Sequence, residues 1–91
     1  MIVDIVDYGE ICEKNFITYD VRELSAEQID YLHSNLDEET SIDGSILRIV
    51  MYFEPKFYPF QSEVAKIRMD DFIAREEIEM NAFLSSYLED M

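Results

Sequence analysis

At 91 residues the chain has room for one domain spanning 1–91 and one modest core, and a hydrophobic share of 48% with 13% aromatics makes it a folding chain despite its charge. Its 21 acidic residues against 7 Lys and Arg give a formal net charge of -14, which excludes direct binding to nucleic acid or to an anionic membrane, because both would repel it. The single cysteine, Cys12, excludes an internal disulfide and leaves the cytosol as the expected compartment.

Taken in chain order, the first 14 residues fit two descriptions. Ile2, Ile5, Val6 and Cys12 roughly share a helical face, while the β-branched content would suit a strand; a short helix is the expectation. The opening Met1 to Asp7 has no basic segment and meets a carboxylate at Asp4, which does not fit a signal peptide. Residues 16–21, rich in β-branched and aromatic types, predict a strand. At Ser25-Ala26-Glu27-Gln28 a capping box opens a helix, with Leu24 and Ile29 as its hydrophobic staple. Its buried stripe is Ile29, Leu32 and Leu36, leaving Glu27, Asp30, Asp37 and Glu38 toward water.

Asp43-Gly44 signals a turn, and residues 46–53 predict a central strand with Leu47, Ile49, Met51 and Phe53 on one face, ended by Pro55 and Pro59. A strand over about 62–70, with Ala65, Ile67 and Met69 inward, would complete a hairpin with it. A last helix places Met80, Leu84, Tyr87 and Met91 on one stripe. Extending it back a turn would put Glu76 and Glu77 in the core, so its expected start is near Arg75, with those glutamates in the first turn. No internal repeat, linker or low-complexity tract interrupts this order. The longest apolar run, 49–53, falls far short of the roughly 20 residues that span a bilayer. The fold class expected is α+β: a small single domain with an antiparallel sheet of about three strands packed with two or three helices.

Catalytic chemistry has little to build on. His33 and Cys12 are the sole residues of their types, so zinc-ligand spacing is absent. The segment 37–44 is acidic, but it lacks the ligand spacing and central glycine of a calcium loop. A Ser/His/Asp triad could use only His33, whose place beside Leu32 suits a partly exposed helical histidine. With two glycines there is no phosphate-binding loop, and without tryptophan or long loops no sugar cleft is suggested. The expectation is a protein that is not an enzyme and needs no cofactor or metal.

The distribution of acids says more. Residues 1–43 carry a net -10 and 70–91 a net -6, flanking a middle of +2. Asp4, Asp7, Glu10 and Glu13 recur every three residues, which on a helix separates them axially by about 4.5 Å, of the order of the roughly 3.4 Å rise between phosphates. A domain of this length is about 30 Å across, so the chain carries about one net charge per 2 Å, comparable to duplex DNA at one per 1.7 Å. Solubility alone asks for a net charge of about 2 to 8. The excess points to a basic partner, with Asp4, Asp7, Glu10, Glu13, Glu27, Asp30, Asp37, Glu38, Glu39, Asp43, Glu76, Glu77 and Glu79 as the candidate partner-binding, phosphate-mimicking acids.

From Met1-Ile2-Val3-Asp4-Ile5-Val6-Asp7-Tyr8-Gly9-Glu10 to Ser86-Tyr87-Leu88-Glu89-Asp90-Met91, the chain resembles the Arn family, the small anti-restriction nuclease proteins of T-even phages. That resemblance implies a homodimeric DNA mimic, made in the cytoplasm of an infected bacterium. Its acidic surface would occupy the DNA-binding sites of host proteins, notably the McrBC restriction nuclease and the nucleoid protein H-NS. Two other readings compete with it. One is a nuclease-specific inhibitor of the immunity-protein kind, with affinity anchored by aromatics such as Tyr8, Tyr31 or Tyr58; the other is an acidic adaptor.

Overall fold

The computed structural model describes residues 1–53 and 69–91. Four strands, β1 (Ile2–Ile11), β2 (Lys14–Arg22), β3 (Glu39–Asp43) and β4 (Ile46–Phe53), form one antiparallel sheet in the order β1-β2-β4-β3. Two helices accompany it, α1 (Ala26–Asn35) and α2 (Met69–Glu89). This is the expected α+β class, with four strands where about three were anticipated.

Period-two alternation explains the inner pair of strands. Ile17, Tyr19 and Val21 of β2 face the helices, as do their cross-strand partners Met51, Ile49 and Leu47 of β4. Met80 and Leu84 of α2 and Leu32 and Leu36 of α1 close on that layer. The expected central strand is therefore interior, paired with β2 on one side and β3 on the other. The expected 62–70 partner lies outside the described residues up to 68, and residues 69 and 70 open α2 instead. The hairpin partner that the structure supplies is β3, joined to β4 through Gly44-Ser45 with Gly44 at φ 61, a backbone geometry that glycine adopts without strain.

The N-terminal expectation needs correction, because residues 2–11 form a strand and not a short helix. Val3 and Ile5 pair with Val21 and Tyr19 on the helix side. A bulge between Ile5 and Asp7 then shifts the phase, so that Tyr8 pairs with Ile17. Ile2 on the outer face, Ile5 on the helix side and Val6 within the bulge thus have a helix-like spacing without sharing a face. The β1–β2 turn is Cys12-Glu13, both with positive φ (52 and 65), as a two-residue hairpin of this twist requires. Beyond the bulge, the Phe16 ring lies over Gly9, where a Cβ would meet Phe16 Cε1 at 3.1 Å.

Helix α1 follows its sequence signals. Ser25 Oγ accepts from Gln28 N at 3.1 Å, and Gln28 Oε1 accepts from Ser25 N at 2.9 Å, completing the box. Ile29, Leu32 and Leu36 are buried. Helix α2 starts at Met69, six residues before the expected Arg75. Glu76 and Glu77 do turn toward the sheet, but each is half-buried with a partner there, so the helix runs through them. Met80 and Leu84 are buried and Tyr87 packs against the core, whereas Met91 is exposed and leaves the expected stripe.

Candidate acidic surface

The acids expected to act together divide by element. On β1 the three-residue recurrence does not give a helical ladder, since a strand rises about 3.3 Å per residue and puts residues three apart at roughly 10 Å. Asp4 lies on the sheet face away from the core, directly opposite Asp20, and pairs with Arg22. Asp7 sits at the bulge and accepts from Tyr8 N at 2.9 Å. Glu10 shares the helix-side face with its partner Asn15, and Glu13 occupies the hairpin turn.

On that outward face Arg48 forks onto Asp20 (Nε to Oδ1 2.8 Å, Nη2 to Oδ2 3.1 Å), which holds the guanidinium still more firmly protonated. The two sheet arginines are thus engaged with Asp4 and Asp20.

A second group gathers around α1 and its exit. Glu27 and Asp30 are exposed on α1, and Asp37 and Glu38 lie on the short link to β3. Glu39 and Asp43 begin and end that edge strand. The segment 37–44 that faintly resembled a calcium loop is largely this strand and its turn. Glu39 Oε2 accepts from Tyr52 Oη at 3.1 Å, and the bond raises the phenol's pKa. His33 is exposed, with Nδ1 2.7 Å from Thr40 Oγ1.

The third group is on α2, where the structure assigns roles that spacing could not. Glu77 Oε2 accepts from Ile5 N at 2.7 Å, spending its carboxylate on the sheet edge. Glu76 faces Tyr19 across a shared pocket, and Tyr19 is 1% exposed. Burial, then the charge of Glu79, raises the Glu76 pKa. Burial and the charges of Glu76, Glu79 and Glu77 push the Tyr19 phenol far up.

These contacts bring the two acidic blocks together. A half-open pocket of about 190 Å³ is lined by Tyr19, Glu38, Met51, Glu76, Glu79, Met80 and Phe83, so Glu38 of the first block meets Glu76 and Glu79 of the second. Tyr19 was visible in the sequence only as a strand residue; the structure sets it beside Glu76 in this pocket. Chemically, the arrangement attracts cations and has no nucleophile–base pair. Among the described residues no group of three or more His, Cys, Asp or Glu could hold a metal ion, and no helix is long and apolar enough to cross a membrane.

The aromatics of the competing reading fall in different settings. Tyr8 is exposed on the β1–β2 hairpin, as are Val6 and Ile11, Tyr31 is half-buried on α1, and Tyr58 lies outside the described residues. No curated protein matches the chain. Residues 2–90 match the model of a family of unknown function, DUF5750, and the chain belongs to that family.

Proposed function

We propose that this DUF5750 member is a DNA mimic: an inhibitor whose carboxylate-rich surface competes with DNA for the basic DNA-binding sites of other proteins. The observation that carries the reading is the exposed acid run Glu27, Asp30, Asp37 and Glu39 of the first block, continued through Glu38 to Glu76 and Glu79 of the second at one pocket. A basic cleft shaped for phosphates gains Coulomb energy when such carboxylates enter it, so this protein and DNA exclude one another. No bond is made or broken, and neither metal nor cofactor takes part.

The resemblance to the T-even anti-restriction proteins favours the same reading. With it come the proposals of a homodimer, of action in the cytoplasm of an infected bacterium, and of the McrBC nuclease and H-NS as targets. Glu76 and Glu77 contribute less than their position suggested, since each carboxylate already serves an internal partner. The immunity-type alternative draws support from Tyr8, an aromatic 42% exposed on the β1–β2 hairpin.

Breadth of binding separates the two readings. In a gel-shift titration, the mimic displaces duplex DNA from several unrelated basic DNA-binding domains and shifts no DNA itself. DNA that stays fully bound at excess protein in low salt refutes the proposal. Inhibition of one nuclease alone favours the anchored interface.

A further inference from the structure

The turn between β3 and β4 is made by Gly44 and Ser45, and the last pair of the ladder is Asp43 with Ile46. The Gly44 amide therefore lies outside the register that ties the two strands together. Asp43, Gly44 and Ser45 are all exposed, and nothing stands within 4 Å of the place where a Cβ on Gly44 would be. Among the described residues the Asp43 carboxylate takes no hydrogen bond, although the charge of Arg48 acts on it. Other aspartates are held: Asp4 by Arg22, Asp20 by Arg48, and Asp7 by the Tyr8 amide. Of the chain's aspartates, Asp43 alone precedes a glycine.

The geometry points to Asp43-Gly44 as a site of self-modification, at which the aspartyl linkage rearranges to an isoaspartyl one with water as the sole co-reactant, and the edge strand β3 loosens from β4 as a result. The Gly44 nitrogen attacks Cγ of the Asp43 carboxyl. A bond forms between them, and the Gly44 amide proton leaves with the carboxyl hydroxyl as water, which closes a five-membered imide. Water then adds to one of the two imide carbonyls. Opening at Cγ restores aspartate, whereas opening at the main-chain carbonyl breaks its bond to Gly44 and leaves the chain linked through Cγ. Nothing is oxidised or reduced. Glycine favours the closure because the attacking residue has no β-carbon to crowd the ring and its peptide turns freely.

The product matters because of where it falls. Its main chain runs through Cβ and Cγ of residue 43 and is one carbon longer than before. The length of a hairpin loop fixes the register of its strands, so the added carbon disturbs the pairing of Asp43 with Ile46. Strand β3 has only five residues with which to hold that register. One carboxylate remains at residue 43, so the net charge stays at -14. The change is one of position: Glu39 and Asp43, at the two ends of β3, are displaced with their strand.

The test incubates the folded full-length protein at 37 °C, with the same protein unfolded in guanidinium as the comparison that shows the product is detectable. Samples are digested and their peptides separated by chromatography with mass spectrometry, in which the isoaspartyl peptide keeps its mass and changes its elution. Labelling by an isoaspartyl methyltransferase counts the sites. In the folded protein the isoaspartyl form accumulates at residue 43 and at no other aspartate, and Asp43→Glu, which would need a six-membered ring, shows none. In the product, separated from unmodified protein, the Ile42 amide exchanges faster by NMR. A folded wild type that forms no isoaspartate at 43 while the unfolded one does overturns the inference, and so does conversion spread equally over other aspartates. Unchanged exchange at Ile42 in the separated product overturns the loosening of β3. None of these outcomes depends on competition with DNA.

Discussion

Changing Glu27, Asp30, Asp37 and Glu38 together to their amides removes four negative charges from α1 and its exit. The supporting structure is left alone: Ser25 and Gln28 keep their capping box, and Ile29, Leu32 and Leu36 stay buried. The loss to the fold is confined to the favourable placing of Glu27 in the first helical turn, worth about 0.3 to 1 kcal/mol, so the protein stays folded at 25 °C. Exposed ion pairs contribute typically 0.2 to 1 kcal/mol each. Glu27, Asp30 and Asp37 are exposed and belong at the lower end, while Glu38, half-buried at the pocket, belongs nearer the top. Together they give about 2 kcal/mol, or some thirtyfold in the concentration needed to displace DNA. Fluorescence anisotropy of labelled duplex on a basic DNA-binding domain, titrated with each protein, reads that factor directly. Single amides should cost only two- to fivefold. If the fourfold variant competes as well as the wild type, or if one amide abolishes competition in a folded protein, distributed mimicry by this surface is refuted.

Competition by the wild type should also weaken steeply between low and physiological salt, because many screened contacts contribute; an affinity that barely changes in calorimetry at the two salts favours an aromatic anchor instead. Leu84→Ala removes a fully buried side chain that holds α2 to the sheet, and should cost about 2 to 5 kcal/mol in urea unfolding. Asn15 is wholly buried, and among the described residues neither its side-chain N nor its O has a hydrogen-bond partner, so Asn15→Val should stabilise by about 1 to 2 kcal/mol in the same assay. Glu76 is held above its unfolded value by burial and Glu79, so its favourable contribution is complete below the ordinary carboxylate range and is lost as pH rises through the folded value. Glu76→Gln, whose amide can serve both Tyr19 and Glu79, should therefore be more stable than wild type at pH 7. The difference should vanish in melts near pH 3.

How much of this was legible in the sequence depended on whether a signal was local. The capping box at Ser25 and Gln28 is complete within four residues, and α1 was read correctly from it. The alternations at 16–21 and 46–53 serve strands buried on one face, and both were read as strands. Strand β1 was misread because its bulge between Ile5 and Asp7 breaks the alternation. Strand β3 was missed because it is short and polar, held by backbone pairing with β4 and by the bonds of Glu39 to Tyr52 and of Thr40 to His33, none of which shows as a local pattern. The start of α2 was misplaced by a sound rule, that unpartnered glutamates avoid cores. The partners of Glu76 and Glu77 are a tyrosine on β2 and an amide on β1, which tertiary folding alone supplies. The acids could likewise be named from the sequence, but the meeting of Glu38 with Glu76 and Glu79 could not.

The strand order has a kinetic consequence. Pairings β1–β2 and β3–β4 join neighbours across two-residue turns, of a kind that closes in microseconds. Only β2–β4 spans α1, so the barrier to folding should fall where two preformed hairpins dock. Arg48 and Asp20 form their fork across that seam. Loosening it should slow folding if docking is the transition state, and should speed unfolding if the ion pair closes afterwards. A chevron for Arg48→Met separates the two.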